Sequence, residues 1–459
     1  MNPGQKSLGR PFLRLLIAST IAAAFPAYAN DANEIEKLKA QIEELDQKLK
    51  ILGRKQELVN EDVAAKQKAA PTVTASDRGF GFKSQDGQFE YRLRGIIHTD
   101  YREFGGDAFP TAVDGFLARR IRPTFEGTVF GKYGFRFTPE FANADTNSAP
   151  TIIDAYVDIR EKPELQIRIG KHKPFVGLER LQSASDIKFI ERSFVSNNIL
   201  PNRDFGISVF GDVLDKRLNY AVGVFNGATD GGNINTRSDA NNQKVFTARV
   251  FATPFINNTD SSLRGLGVGL AATKGNLAST QLPSYSTPGI ANSFFAYKTG
   301  TTTNGEQDRW SPQAHYYNGP LGLIYEYAWV NQPIKNSAST STAKNTAWQL
   351  AGSWLLTGED ASFRGVKPYN RFQSGPEGGW GAFELVARYQ ENQIDEAIPS
   401  TFVPTTNYAL KASGIAVGLN WYLNESSKFA VNYERTRLTG GTLDGKSENF
   451  LVGRYQLSF

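Results

Sequence analysis

Basic side chains are concentrated in one long connection of this 459-residue chain. The connection follows two short alternating segments that begin at Asp154, and it continues to Asp204. Connections longer than about 12–15 residues are uncommon in compact folds and are usually functional. Three aromatic residues, Phe175, Phe189 and Phe194, are interspersed with cations. The cations are Lys171, Lys173, Arg180, Lys188, Arg192 and Arg203. Lysine is a compact point charge and arginine a planar donor fork that matches phosphate oxygens, so this stretch could surround a small anion.

The segments that flank this stretch show a period of two in their pattern of polar and apolar residues. From about residue 80 onward, polar and apolar residues alternate, without a helical period or a strand–helix alternation. Leu117, Ile121, Phe125 and Val129, for example, are predicted to share one outward face. About sixteen such segments can be counted, and an even number of roughly ten-residue alternating segments is typical of an outer-membrane barrel. The sequence therefore predicts an all-β fold, a 16-stranded antiparallel transmembrane β-barrel whose pore is narrowed by the basic connection.

Parity then predicts which charged residues face the inside of this barrel. An arginine facing lipid would cost about 2–4 kcal/mol near the membrane midplane. The inner face should therefore carry Arg92, Arg94, Arg120, Arg122, Asp154, Asp158 and Arg168. Rings of Arg and Lys select anions and phosphate in pores. The alternative is that single arginines form ion pairs with acidic residues of the wall, such as Glu90 or Glu126, and do not bind a passing anion.

The lengths of the connections support the barrel. Every second connection is short, for example Gly131–Lys132 and Asn318–Gly319, and those between them are long, for example 226–243 and 275–308. Short periplasmic turns and long outer loops are typical of outer-membrane barrels. The alternating last segment ends on an aromatic residue, Phe459, which is also common in such proteins.

Composition excludes several classes of function. There is no Cys, and the only Met is Met1, so neither disulfides nor thiolate metal sites are available. The three histidines, His98, His172 and His315, have no metal-ligand spacing, and no G-x-S-x-G, H-E-x-x-H or P-loop motif occurs. We therefore expect no enzymatic activity, no metal and no cofactor.

The overall charge does not predict nucleic-acid binding. The formal net charge is +5, but three of the 51 basic residues lie in the predicted leader, which leaves 48 against 46 acidic residues. A nearly neutral chain has no electrostatic footprint for nucleic acid. Any selectivity for anions must come from the local arrangement of charges.

The N-terminal part is predicted to lie outside the barrel. Residues 1–29 combine a basic start, an apolar run and the sequence Ala27-Tyr28-Ala29, as in a secretory signal peptide. Residues 30–63 carry apolar residues at alternating steps of three and four, which favours a coiled coil over a lone amphipathic helix. Residues 64–79 have the composition of a linker, and the barrel is predicted over 80–459.

Several segments, in order along the predicted barrel, resemble the phosphate- and polyphosphate-selective porins of the porin O/P family. They are Arg119–Arg122 with Glu126-Gly127, Asp154–Val157, Arg168–Lys171 with Pro174-Phe175, Gly177–Glu179, Phe189–Arg192, Pro201–Arg203, Thr357–Glu359 and Gly418–Tyr422. The resemblance implies a homotrimer of sixteen-stranded barrels, often with an N-terminal coiled coil, and a third loop folded inward. It also accounts for the connection Thr357–Gly379, which is long where a short turn is expected. The chain departs from the family at Ile96, where a lumenal arginine would be expected.

These observations together predict an outer-membrane porin of a Gram-negative bacterium, with its coiled coil in the periplasm. We expect an anion-preferring diffusion channel for phosphate or polyphosphate, with small anions and outer-membrane lipids as its partners. The candidate pore residues are Arg92, Arg94, Arg120, Arg122, Asp154, Arg168, Lys171, Lys173, Lys188, Arg192 and Arg203. Two alternatives stay open, a general-diffusion porin without phosphate selectivity and a structural tether that acts through the coiled coil.

Overall fold

The computed structural model describes residues 32–77, 79–142, 150–233, 242–277, 281–375 and 378–459. The predicted signal peptide lies outside these ranges. The chain divides into two compact units, one ending at Ala70 and the other spanning Pro71–Phe459.

The first unit contains one long helix, α1, at Ala32–Ala69. Its apolar heptad residues are all exposed in the single chain. They are Ile35, Leu38, Ile42, Leu45, Leu49, Leu52, Val59 and Val63. Ion pairs one turn apart, such as Glu44 with Lys48 at 2.6 Å, support the helix. In the described part of the chain, no helix combines the length and the apolar character that crossing a membrane requires.

The predicted linker over residues 64–79 is not a linker in the structure. α1 continues to Ala69, and a first strand begins at Thr72. The sequence up to Ala70 is rich in Ala, Lys and Gln, which are good helix formers, and Pro71 cannot continue the helix.

The second unit is built from antiparallel strands. In chain order they are β1 Thr72–Ser76, β2 Gly79–Lys83, β3 Glu90–Gly106, β4 Gly115–Val129, β5 Tyr133–Glu140, β6 Thr151–Lys162, β7 Leu165–His172, β8 Asp204–Val213, β9 Leu218–Phe225, β10 Val245–Ala252, β11 Leu266–Asn276, β12 Ser284–Ser286, β13 Ser293–Ala296, β14 Thr302–Thr303, β15 Glu306–Asn318, β16 Leu321–Lys335, β17 Thr340–Leu355, β18 Ala382–Gln393, β19 Lys411–Tyr422, β20 Ser427–Thr439 and β21 Ser447–Ser458. Short helical turns lie at Leu178–Leu181, Val195–Ile199 and Gly441–Leu443.

Sixteen of these strands close into a barrel, as predicted. β3 to β11 and β15 to β21 each pair with the next strand, and β21 pairs with β3 through contacts from Ile96↔Ser458 to Gly106↔Glu448. The hairpin β1–β2 extends the sheet only beside the start of β3, where Leu93 pairs with Phe80. Closure removes the free strand edges that a bilayer would leave unpaired.

Most strands alternate between the two faces as the sequence indicates. On β20, Phe429, Val431 and Tyr433 are exposed on the outside, while Asn432 and Glu434 are buried inside. Outward apolar and inward polar residues are what a lipid-embedded barrel with a polar interior requires.

A β-bulge on β4 breaks the predicted parity. His98 of β3 pairs with Arg120, but the next residue, Thr99, pairs with Ala118, so Arg119 is an extra residue on β4. Such an insertion moves each preceding side chain of the strand to the opposite face of the sheet. Leu117 therefore pairs with the inward-facing Asp100 and does not share the outward face of Ile121.

The connection between β7 and β8, called here the inward loop (173–203), folds into the barrel. Its backbone amides bond to side chains of the far wall. Leu178 N–H donates to Glu326 Oε1 at 2.6 Å, and Phe194 N–H donates to Gln390 Oε1 at 2.8 Å. Because these partners lie on β16 and β18, the loop spans the interior.

Two further connections fold into the lumen and contact the inward loop. The hairpin β12–β13 buries Tyr285, Phe294 and Phe295 in one apolar cluster with Phe194 of the inward loop. The long connection between β17 and β18, called here the periplasmic turn (356–381), reaches the inward loop, where Gln182 Nε2 donates to Phe363 O at 2.7 Å. The remaining space lies mainly against the inner faces of β3 to β7, β9 and β10.

Candidate pore and its cations

A cavity lies between the inward loop, the periplasmic turn and the strands β3 to β7, β9 and β10. Among the residues that the structure describes, ten basic and four acidic side chains line it. The basic ones are Arg92, Arg94, Arg122, Arg136, Arg168, Lys173, Arg203, Arg249, Arg364 and Lys367. The acidic ones are Asp77, Asp154, Asp186 and Glu425. The lining is therefore strongly positive, although the chain as a whole is nearly neutral.

Seven of the eleven candidate residues lie on this lining. They are Arg92, Arg94, Arg122, Asp154, Arg168, Lys173 and Arg203. The period of two located the strand residues, and the loop residues Lys173 and Arg203 reach the cavity because the loop returns to the wall beside β6.

The other four candidates do not line the cavity. Arg120 lies behind the inward loop, 3.1 Å from His98 Nδ1. Lys188 pairs with Glu384 of β18 at 2.8 Å, and Arg192 donates to Gln182 O at 2.9 Å. Lys171 is buried near the end of β7, so it belongs to the wall and not to the loop. Arg120, Lys188 and Arg192 are thus packed structural cations, a correction that follows from how the loop lies against the wall.

Four basic residues of the cavity were not among the residues predicted from the sequence. Arg136 and Arg249 occupy inward positions of β5 and β10, where the alternation of apolar residues could have revealed them. Arg364 and Lys367 belong to the periplasmic turn, whose irregular sequence contains no period that predicts its direction.

Arg203 and Asp154 form the central ion pair of the cavity. Arg203 Nε donates to Asp154 Oδ1 at 2.9 Å. Arg122 pairs with Glu140 at 2.5 Å, and both pairs fix an arginine plane while leaving donor groups for another acceptor.

Lys173 and Arg249 are held differently. Lys173 Nζ donates to the backbone oxygen of Gln182 at 2.8 Å, and Arg249 Nε donates to the side-chain oxygen of Gln313 at 3.0 Å. Neither of them forms an ion pair with a carboxylate among the described residues. Their charges are therefore not offset by a direct ion pair.

Arg168 is held rigidly in an aromatic setting. Its guanidinium lies 4.0 Å from the ring centre of Tyr156 and 5.6 Å from that of Phe175. Two hydrogen bonds, of 2.7 and 3.0 Å, join it to Asp158. Stacking and a bidentate carboxylate together fix its orientation on the wall.

The inward loop is anchored by one buried carboxylate. Glu191 accepts hydrogen bonds from Arg102 at 2.5 Å and from Arg119 at 2.6 Å, and Arg454 Nη2 lies 3.6 Å away. Arg119 can take part because the bulge turns it inward. This cluster attaches the loop to β3, β4 and β21.

The periplasmic end of the cavity contains a further ion pair. Arg371 Nε and Nη2 donate to the carboxylate of Glu425 at 2.8 and 3.0 Å. These hydrogen bonds lower the pKa of Glu425 and raise that of Arg371. The pair joins the periplasmic turn to the turn between β19 and β20.

In the described residues, no cluster of His, Cys, Asp and Glu could hold a metal ion.

A closed sixteen-stranded barrel whose lumen is narrowed by an inward loop defines an outer-membrane porin. The chain belongs to the family of phosphate-selective porins O and P, whose family model matches residues 89–459. It is therefore a channel and not an enzyme, and its place is the outer membrane of a Gram-negative bacterium.

Known relatives agree with this assignment. The chain is 24% identical to porin O of Pseudomonas aeruginosa over 435 residues, which cover 85% of this chain and 93% of the relative. Among solved structures, OprB of Pseudomonas putida matches with a TM-score of 0.52 at 10% identity, covering 82% of this chain and 95% of its own. The outer-membrane channel DcaP of Acinetobacter baumannii matches with a TM-score of 0.50 at 14% identity, covering 83% of this chain and 99% of its own. These two structures support the fold alone.

Proposed function

We propose that this porin prefers anions and that its narrow region binds phosphate. The observation that carries the proposal is the excess of ten basic over four acidic side chains on the cavity lining. In a narrow passage with low-dielectric walls, local charge outweighs the net charge of the molecule. The family description, phosphate-selective porin, points to the same class of substrate.

Phosphate is the anion that the donor geometry suits best. A phosphate dianion that enters a narrow gap loses part of its hydration shell, and several donors must replace it without holding it too tightly. Arg122 and Arg203 offer oriented donor forks, and Lys173 adds a charge without a carboxylate partner. Asp154 beside Arg203 limits the attraction, which favours release.

Planar-bilayer recordings test the proposal. In a potassium chloride gradient, the reversal potential should show a preference for chloride, and added phosphate should block the chloride current. A cation-selective reversal potential would overturn the anion preference. An anion-selective channel without phosphate block would be a general-diffusion porin, and absence of conductance would favour a structural tether.

Substitution of the cavity cations tests where phosphate binds. Lys173→Ala or Arg203→Ala should weaken the phosphate block about tenfold, because one hydrogen bond to a charged group contributes about 1.5–3 kcal/mol. The double variant leaves Asp154 less compensated and should shift selectivity toward cations.

Arg237, which would suit as a control in an outer loop, lies outside the described residues. Arg217, an exposed residue of a periplasmic turn, is the matched control, and Arg217→Ala should change the block little. Wild-type block in both single variants would place the site elsewhere.

We also propose that the porin is a homotrimer whose α1 helices form a coiled coil. The support is the row of exposed apolar residues along α1, interrupted only at Gln56, a surface that a helix in water covers by packing against another helix.

A further inference from the structure

The outer face of β20 carries two arginines at its extracellular end. Arg435 and Arg437 lie on the same side as Phe429, Val431 and Tyr433, and both are exposed. Their register partners on β19 and β21 are uncharged. Arg435 lies between Ile415 and Asn449, and Arg437 lies between Ser413 and Ser447. Within the described chain, neither arginine forms an ion pair. These two outward arginines are therefore available to bind a group outside the protein.

Aromatic residues mark where the membrane surfaces meet this wall. At the periplasmic side, Trp421 stacks with Phe383 and lies 5.9 Å from Phe429. At the extracellular side, Trp348 packs against Tyr389, with ring centres 5.3 Å apart. Such girdles stand at the two edges of the apolar band, which is about 25 Å tall.

Register places the two arginines at or above the extracellular girdle. Tyr389 pairs with Ile415, and Ile415 pairs with Arg435, so all three lie on one line across the strands. Because the strands are tilted, a line of paired residues lies closer to the extracellular side on β3 than on β18. Counted from the periplasmic end of each strand, Glu384 is the third residue of β18, whereas Asp100, on the same line, is the eleventh residue of β3.

The distance along β20 brings both arginines toward the upper edge of this band. Arg435 follows Phe429 by six residues and Arg437 by eight, which corresponds to roughly 15 and 21 Å of height at a rise of ~3.4 Å per residue and a tilt of ~40°. The climb of the register lines from β18 adds to this height. Tyr433, one step below Arg435, donates its hydroxyl to Asn449 at 3.0 Å, as expected where a wet interface begins. Arg435 and Arg437 are thus placed at the headgroup layer of the outer leaflet, where an outward arginine costs little free energy.

We propose that Arg435 and Arg437 bind the phosphate groups of the glycolipid that forms the outer leaflet. Two arginines on one face, two residues apart, offer parallel donor forks about 7 Å apart, and each fork matches a phosphate. The neighbouring Lys411 is already paired with Glu391 at 3.1 Å, so it contributes less. The site faces the lipid and is separate from the pore, so it binds the membrane around the porin and not its cargo.

Titration of the purified porin with lipopolysaccharide tests the proposal. The double variant Arg435→Ala/Arg437→Ala should bind lipopolysaccharide at least tenfold more weakly than the wild type, as counted by native mass spectrometry. Dephosphorylated lipopolysaccharide should bind both proteins weakly. The matched control Lys132→Ala/Arg217→Ala removes two charges from periplasmic turns and should bind like the wild type.

Three results would overturn the proposal. The first is equal binding of lipopolysaccharide by the double variant and the wild type. The second is equal binding of the dephosphorylated lipid by the wild type. The third is loss of the oligomer in the double variant, with unchanged lipid binding per protomer, which would make this patch a contact with a second copy of the chain. Conductance and phosphate block should be unchanged in the double variant, so failure of this proposal and failure of the pore proposal are distinguishable.

Discussion

At the scale of single residues, the partner of each charged group decides its role. Lys173 and Lys188 belong to the same loop. Lys173 donates to a backbone oxygen at the cavity, whereas Lys188 forms an ion pair with Glu384. An ion pair on the wall fixes the orientation of its two side chains, whereas a cation without a carboxylate partner adds to the positive electrostatic potential of the passage. The same rule applies outside the barrel, where Arg435 and Arg437 form no ion pair with any residue that the structure describes.

The pair Arg371–Glu425 gives a prediction at this scale. The pKa of Glu425 is lowered in the folded protein, so its contribution to stability is present above the ordinary carboxylate pKa and is lost as the pH falls through the lowered value. Because Arg371 is largely exposed, we expect this contribution to stability to be small.

Hydrogen exchange measures this effect, because the amide of Phe372, next to Arg371, donates to Leu423 O at 2.7 Å. Glu425→Gln should reduce its protection relative to the wild type at pH 7, and the difference should vanish in acid. Glu161→Gln, which removes the partner of Lys132 in another periplasmic turn, is the control and should leave Phe372 unaffected. A difference that persists below the lowered pKa would contradict the assignment.

At the scale of elements, the inward loop takes its position from buried polar contacts with several strands. Glu191 joins it to β3, β4 and β21, and Lys188 joins it to β18. Loops are otherwise mobile, so a constriction of defined width needs such anchors.

We expect Glu191→Gln to loosen the loop. Removing one partner of a buried charge cluster costs about 3–5 kcal/mol, because Arg102, Arg119 and Arg454 would lose their common carboxylate. Single-channel conductance should rise and phosphate block should weaken, while the barrel still resists heat in detergent. Glu103→Gln changes an exposed glutamate of β3 and serves as the control. Unchanged conductance in Glu191→Gln would show that this cluster does not hold the loop.

At the scale of the whole molecule, the helix and the barrel form separate compact units. The barrel closes through its own hydrogen bonds, so its stability does not require α1. The exposed apolar row of α1, in contrast, is stable in water only when it is covered.

Deletion of Ala32–Ala69 should therefore leave a folded, conducting barrel whose oligomer dissociates at lower temperature in detergent. Leu45→Glu, which keeps the helix but places a charge in the apolar row, should act in the same direction. Native gels and planar-bilayer recordings measure the two properties. If the truncated protein keeps its oligomer under the same heat challenge, α1 does not hold the subunits together.

The barrel and the inner position of most strand residues follow from local features of the sequence. A period of two is a local property, because successive side chains of a strand point to opposite faces whatever their distant neighbours are. The heptads of α1 and the basic character of the inward loop are local in the same way. Arg92, Arg122 and Arg168 could therefore be placed on the inner face from their positions alone.

Which cations reach the passage, in contrast, depends on how the chain folds in three dimensions. A single inserted residue at Arg119 reversed the parity of β4, and no local pattern announces such a bulge. Arg120 and Lys188 were lost from the lining because the loop and its partners on distant strands cover them. Arg364 and Lys367 were gained because the periplasmic turn folds inward. Each of these outcomes depends on contacts between residues far apart in the chain, which a local period does not encode.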